Sequence, residues 1–148
     1  MRRSGSVAAS NNGGKSALPR LSLEVGTADT LPFADQTFDL VIFGFCLSLC
    51  DPVDYFRIAA EADRVLSERG WLAIYDFTTP APIKVPYAHK DGLYSHKMEF
   101  SRLFMGNPAY RMFARHYFEH QSVLTFEVSE AISVDILRKT LHEHSDNY

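Results

Sequence analysis

Cysteine is scarce in this sequence, which has only Cys46 and Cys50 among its 148 residues. So low a content excludes the disulfide-rich scaffolds that stabilise small secreted domains. The three residues between the two cysteines make the spacing wrong for a C-x-x-C metal or redox pair. We therefore expect both cysteines to be buried, reduced thiols in a cytoplasmic protein.

The sequence also lacks a long apolar run and an excess of positive charge. No stretch is long enough to cross a bilayer as a helix, so we expect no membrane partner. The formal net charge of -3 and the pI near 6.0 disfavour a general nucleic-acid binder, because such proteins usually carry a basic surface. The six histidines have no metal-ligand spacing, and we expect no metal site.

Two apolar stretches dominate what is present. Phe38 to Phe45 and Trp71 to Phe77 contain few polar residues, which predicts strands of a parallel sheet with both faces covered. Between them, Asp51-Pro52 predicts a helix start, and Gly70 is placed to end the helix. Strand, helix and strand at this spacing predict a βαβ unit and an α/β fold. The apolar residues at helical spacing are Phe56, Ala59, Ala60, Ala62, Val65 and Leu66.

Composition divides the chain into one domain and two flanking tails. Residues 1–20 are rich in Ser, Gly and Asn and contain no acidic residue, which predicts a disordered or non-native tail. Residues 21–141 form the domain, and residues 142–148 form a polar tail. We expect the final strands to form an antiparallel pair at the sheet edge. Alternating residues predict further strands over Leu21 to Val25, Tyr110 to His120, Leu124 to Val128 and Ile132 to about Leu141.

Three motifs occur in a fixed order along the domain. They are GTADTLPF at Gly26 to Phe33, FDLV at Phe38 to Val41, and EADRVL at Glu61 to Leu66, which leads into a glycine. Together they resemble the later motifs of the class I S-adenosylmethionine-dependent methyltransferases, and the resemblance covers Leu21 to about Leu141. It implies a Rossmann-like sheet, S-adenosyl-L-methionine as cofactor, and methyl transfer to a small-molecule or other acceptor that the sequence does not identify.

The resemblance also implies where the cofactor lies. In the family, the loop after the third strand holds a polar residue and an alanine near the adenine, which match Thr27 and Ala28. Thr27 stands where an aspartate is usual, and Asp29 is the candidate substitute at the second position after it. The end of the fourth strand lines the methionine part, and simple core packing is the competing interpretation for its two phenylalanines. The matching positions are Phe43, Gly44 and Phe45.

The first motif of that family has no counterpart in this sequence. Neither its Gly-x-Gly loop nor the acid that binds the ribose hydroxyls is present. We therefore expect an incomplete, truncated C-terminal portion with impaired cofactor binding, whose fourth strand has an open apolar edge. Since such edges pair with other chains, the alternative function is a non-catalytic, oligomerising or interaction module. A dehydrogenase ranks lower because no Gly-x-Gly-x-x-Gly is present.

Asp76 is the first candidate for catalysis. Asp76 ends the second apolar stretch, at the edge where open α/β sheets bind ligands. A polar strand end, or a partner for a cation, is an equally good interpretation. His89 and His96 are weaker candidates, expected to be exposed loop residues. Side chains that could shape a substrate pocket are Tyr87, Tyr94 and Lys97.

Overall fold

The computed structural model describes residues 5–10, 20–118 and 131–140. Eight strands and two α-helices are present in this part of the chain. The strands are β1 (Gly5–Ser10), β2 (Arg20–Val25), β3 (Phe38–Gly44), β4 (Leu66–Phe77), β5 (Ile83–Pro86), β6 (Tyr94–Lys97), β7 (Tyr110–Phe118) and β8 (Ile132–Lys139). The helices are α1 (Tyr55–Val65) and α2 (Arg102–Met105).

The main sheet has four strands in the order β3-β4-β8-β7. β3 and β4 are parallel, whereas β8 is antiparallel to both β4 and β7. This arrangement confirms the predicted α/β fold, an incomplete Rossmann-like sheet whose parallel strands are followed by an antiparallel pair. The strand predicted over Leu124 to Val128 lies outside the described residues.

The crossover between β3 and β4 begins where the sequence predicted. The Asp51 carboxylate accepts a hydrogen bond from the backbone N–H of Val53 at 3.1 Å, and Pro52 opens the 3₁₀ turn that leads into α1. The predicted apolar stripe was partly wrong, because Phe56 is 78% exposed and Ala60 is also exposed. Positions three or four residues apart share a helix face, and the buried set is Tyr55, Ile58, Ala59, Ala62 and Val65.

The prediction that both faces of β3 are covered was also wrong for the described residues. Phe43 is buried and Val41 half-buried on the side that packs in the core. On the opposite face, Leu40 is 50% and Ile42 is 62% exposed. An almost continuous apolar run therefore gives one packed and one open face here, because no helix in the described part covers the second face.

Gly70 does not end the helix, contrary to the sequence prediction. α1 ends at Val65, and the only positive φ nearby is that of Arg69, at 64°. A Cβ at Gly70 would lie 2.6 Å from Leu66 Cδ1 and 2.8 Å from the carbonyl oxygen of Ser67. Close approach of the chain to itself, rather than a left-handed backbone, therefore requires glycine at this position.

Part of the segment expected to be an N-terminal tail forms a strand. β1 pairs antiparallel with β2 in a separate two-stranded sheet. This pairing confirms the strand predicted at Leu21 to Val25, which lies in β2. The boundaries proposed for the domain and its two tails stay predictions.

A short hairpin connects the end of β4 to α2. Its strands β5 and β6 are antiparallel, and β6 packs against the 3₁₀ turn Leu47–Leu49 that follows β3. Thr79 fixes one end of the hairpin, because its hydroxyl donates to the carbonyl oxygen of Lys97 at 2.9 Å. The hairpin therefore lies over the carboxyl ends of the two parallel strands.

Candidate functional site

The loop that follows β2 is held in place by two charged side chains of α1. Glu61 accepts a hydrogen bond from the backbone N–H of Leu31 at 2.8 Å. Arg64 donates to the carbonyl oxygens of Phe33 at 2.8 Å and Leu31 at 3.1 Å, and it pairs with Glu61 at 2.7 Å. The hydrogen bond from Arg64 lowers the pKa of Glu61 to about 2. The Thr27–Asp29 segment thus leads into a loop that α1 fixes.

One cavity runs along β3, between this loop and α1, and is called the edge cavity below. Its volume is about 480 Å³, within the range of roughly 300–1,000 Å³ typical of small-molecule sites. The wall is mostly apolar, and no acidic side chain of the described residues lines it. The structure brings four of the six predicted cofactor residues together here: Thr27, Ala28, Phe43 and Gly44.

A second cavity, the hairpin cavity, lies beside the first under β5 and β6. Its volume is about 570 Å³, and its wall is more polar. Thr27 and Ala28 line both cavities, so the two volumes share one stretch of backbone. The charged and polar side chains around the hairpin cavity are Asp29, Asp51, Asp54, Lys84, Tyr94 and His96.

The other two predicted cofactor residues lie apart from the edge cavity. Asp29 is buried, lines the hairpin cavity and forms an ion pair with Arg57 at 3.3 Å. Phe45 lines neither cavity. Its ring packs edge-on against Tyr75 and Phe77, with centroid distances of 4.6 and 5.6 Å.

The backbone of Phe45 is in the left-handed region, with φ at 46°. Its N–H donates to the carbonyl oxygen of Tyr75 at 2.8 Å, which continues the pairing of β3 with β4. A left-handed residue other than glycine costs about 1–3 kcal/mol and is retained where its surroundings fix it. The two aromatic contacts and this hydrogen bond supply that constraint directly after Gly44.

Asp76 is in the interior, only 1% exposed, and lines neither cavity. Its carboxylate accepts hydrogen bonds from the backbone N–H of Ser48 at 3.2 Å and of Phe77 at 2.8 Å. Burial raises the pKa of this carboxyl, and the hydrogen bonds partly oppose that effect. The contacts are those of a group that positions the turn after β3, and a catalytic role for Asp76 stays a prediction.

The two candidate histidines, Tyr94 and Lys97 lie in different surroundings. His96 is half-buried and lines the hairpin cavity with Tyr94, whereas His89 is exposed. Lys97 is only 4% exposed, and its ammonium group lies 3.9 Å from the centroid of the Phe77 ring. Sequence reasoning therefore undervalued His96, because nothing local to a loop indicates that a hairpin folds back over the sheet.

Cys46 and Cys50 were missed altogether as cavity residues. Cys46 lines the edge cavity and Cys50 lines the hairpin cavity. Among the described residues, no group of three or more His, Cys, Asp or Glu side chains could hold a metal ion. No helix in the same part of the chain is both long and apolar enough to cross a membrane.

Part of the chain is similar in sequence to known methyltransferases. Residues 4–74 match the family model described as a methyltransferase domain. Malonyl-[acyl-carrier protein] O-methyltransferase of Methylococcus capsulatus is 34% identical over 83 residues, which cover 55% of this chain and 29% of that protein. The chain spans less than a third of the length of the curated relatives that it matches.

Solved structures show the same fold. An S-adenosylmethionine-dependent methyltransferase of Methanosarcina mazei superposes with a TM-score of 0.63 at 17% identity, over 80% of this chain and 66% of that one. The Burkholderia thailandensis 1,6-didemethyltoxoflavin-N1-methyltransferase, solved with bound 1,6-didemethyltoxoflavin and S-adenosylhomocysteine, superposes with a TM-score of 0.58 at 18% identity, over 78% of this chain and 49% of that one. The chain therefore has part of the Rossmann-like fold of these S-adenosylmethionine-dependent methyltransferases.

S-adenosylmethionine is the cofactor of this class, and the edge cavity fits one part of it. An apolar wall next to Thr27 and Ala28 suits the flat adenine ring. A Cβ built at Gly44 meets nothing within 4 Å, so a ligand can approach this backbone closely. The ribose hydroxyls and the charged methionine end find no acidic partner among the described residues of this cavity.

Proposed function

We propose that the chain takes part in methyl transfer from S-adenosylmethionine to a small molecule, with the cofactor in the edge cavity and the acceptor in the hairpin cavity. The observation that carries this proposal is the wall of Thr27 and Ala28 that the two cavities share. A methyl donor and its acceptor must lie next to each other, since the transfer is a direct displacement. When bound, the cofactor carries the methyl group on its sulfonium sulfur.

The residues of the chain would orient the two reactants. Ala28 gives the adenine an apolar surface, whereas Phe43 lines the methionine part and Gly44 leaves room for a close approach at the end of β3. Lys84 and His96 line the hairpin cavity together with Asp51 and Asp54. Polar and charged side chains around this cavity favour a polar acceptor.

The described residues alone should hold the cofactor weakly. The edge cavity offers an apolar surface but no carboxylate for the ribose hydroxyls. Buried polar groups of a ligand that lose water without gaining a partner reduce its affinity. We therefore infer a dissociation constant larger than micromolar. We also propose that the chain by itself has impaired activity.

Calorimetry with S-adenosylhomocysteine tests this proposal. We expect weak, saturable binding to the chain and its loss in Ala28→Trp, since that side chain would fill the shared wall. Ala60→Trp is the matched control because Ala60 is exposed on α1 and lines neither cavity. Equal binding by both variants, or none by the parent chain, would refute the assignment of the edge cavity. Micromolar binding would refute the inferred weakness.

A second candidate function is self-association through β3, and a specific observation favours it. β3 is the end strand of the described sheet, and its open face carries Leu40 and Ile42. An end strand has a row of unpaired backbone groups, which a second copy of the chain can pair with. The edge cavity follows the length of this strand, so association would compete with cofactor binding there.

Sedimentation at several concentrations tests this candidate. We expect a concentration-dependent increase in mass that Ile42→Lys abolishes. Phe56→Lys is the control, since Phe56 is 78% exposed but lies on α1, outside the edge cavity. A monomer at every concentration, or equal loss in both variants, would exclude β3 as the contact surface.

We also propose a cytoplasmic location. Both cysteines are free thiols, neither of them in a disulfide. Thiols stay reduced in the cytosol, whereas oxidising compartments favour disulfides. Fractionation of cells that express the chain would test this proposal.

A further inference from the structure

Cys46 and Cys50 are brought together by one turn of 3₁₀ helix. Cys46 directly precedes the turn Leu47–Leu49 and Cys50 directly follows it. Two backbone hydrogen bonds close the turn, from Leu49 N–H to the Cys46 carbonyl at 3.2 Å and from Cys50 N–H to the Leu47 carbonyl at 3.1 Å. The thiol of Cys50 donates to the Cys46 carbonyl oxygen at 3.2 Å, which holds the Cys50 side chain against the start of the turn.

We propose that Cys46 and Cys50 form a redox-active dithiol, a modification site at which a small disulfide such as oxidised glutathione closes an intramolecular disulfide. The thiolate of Cys46 attacks one sulfur of the oxidant, and one glutathione leaves as a thiolate. Cys50, deprotonated, then attacks the Cys46 sulfur and releases the second glutathione. The two cysteines lose two protons and two electrons in total, and the oxidant becomes two thiols.

The chemistry needs an accessible thiol that ionises readily, and Cys46 is the better placed of the two. Both cysteines are half-buried, and each lines a cavity of several hundred cubic ångströms. The neighbouring Cys50 side chain lowers the pKa of Cys46, which favours it as the attacking sulfur. The Cys46 side chain is the largest cause of the raised pKa of Cys50, and burial and the nearby carboxylates of Asp76 and Asp54 act in the same direction.

Closure of the disulfide would change both cavities at once. Cys46 lies in the wall of the edge cavity and Cys50 in that of the hairpin cavity. The turn between them is held to β4 through Ser48 and Asp76. A covalent bond across the turn therefore fixes the boundary between two ligand sites, and oxidation would alter binding in both. This inference does not depend on which ligands those cavities take.

The test is unusually clean because the chain has only these two cysteines. The native, reduced chain is incubated with oxidised glutathione and analysed by mass spectrometry. We expect a monomer that has lost two hydrogen atoms, with Cys46 linked to Cys50. Cys46→Ser and Cys50→Ser should each retain one glutathione instead. Two glutathione adducts per native chain, a disulfide between chains, or reaction only in denaturant would overturn the proposal.

A trivalent arsenical, phenylarsine oxide, provides a second measurement that needs no disulfide to form. It chelates two neighbouring thiols, so we expect one equivalent to block both cysteines and neither single variant to bind it tightly. Failure to chelate would show that the thiols are not adjacent, which overturns the proposal. Chelation without disulfide closure by glutathione would also overturn it, because the thiols would then be adjacent and accessible but not redox-active.

Discussion

The backbone N–H of Ser48 donates to the Asp76 carboxylate at 3.2 Å, and this hydrogen bond ties the turn after β3 to the end of β4. Ser48 and Asp76 are each 1% exposed, so water cannot replace either partner. The two parallel strands thus share a polar contact at their carboxyl ends, next to the hairpin strand β6.

Asp76→Ala should destabilise the chain by about 1–3 kcal/mol, because it leaves the N–H of Ser48 buried without an acceptor. Urea unfolding, followed by circular dichroism, measures the change. Asp91→Ala is the control, since Asp91 is exposed in the loop between β5 and β6, and a change within about 0.5 kcal/mol is expected there. Equal stability of the two variants would show that Asp76 does not support the turn.

Glu61→Gln should lower the free energy of unfolding by about 1 kcal/mol near neutral pH, a small effect because the pair with Arg64 is partly open to solvent. The pKa of Glu61 is lowered from 4.5 to about 2. Its stabilisation is therefore fully present above pH 4.5 and is lost as the pH falls towards 2.

The measurement is a pH series of urea unfolding for the parent chain and Glu61→Gln. The difference between them should shrink below pH 4.5. Glu24→Gln is the control at an exposed position of β2 and should follow the parent chain throughout. A difference that grows in acid would contradict a lowered pKa of Glu61.

Gly70→Ala should destabilise the chain by about 1–3 kcal/mol, because the added methyl group would overlap the Leu66 side chain and the Ser67 carbonyl. Gly106→Ala is the matched control. A Cβ at Gly106 meets nothing within 4 Å, and its φ of -71° suits alanine. Gly106→Ala is therefore expected to be neutral or slightly stabilising. Thermal unfolding of both variants distinguishes a local overlap from a general intolerance of alanine.

Cys50→Ala should raise the pKa of Cys46, because it removes the hydrogen bond that lowers it, while burial and the charge of Asp76 remain. Cys46→Ala should lower the pKa of Cys50, since the hydrogen bond to Cys46 is the largest cause that raises it. The rate of alkylation by iodoacetamide as a function of pH measures both values. Identical profiles for the remaining thiol, with and without its neighbour, would contradict the geometry of the pair.

The sequence predicted the βαβ unit well because its signals are local. The Asp51-Pro52 start and the apolar residues of β3 and β4 depend on chain neighbours alone. Errors arose where a second element decides the outcome. Phe56 follows the helical spacing nearly as well as Tyr55, but only the position of the sheet determines which one is buried.

Part of the candidate site was also predicted, again because its signals are local in the sequence. Thr27 and Ala28 belong to a short motif, Phe43 and Gly44 end β3, and all four line the edge cavity beside that strand. Asp29 and Phe45 lie apart from the edge cavity. Their contacts with Arg57 and Tyr75, which are distant in the chain, were not predictable from local sequence. The pairing of Cys46 with Cys50 needed the 3₁₀ turn between them, which their spacing alone did not indicate.

Thr27 and Ala28 line both cavities. Under the proposed function, a ligand that displaces these two residues from one side would change the free energy of binding on the other side. Thermodynamic linkage makes that effect equal in both directions. A small shift of two residues would then make donor and acceptor binding cooperative or mutually exclusive.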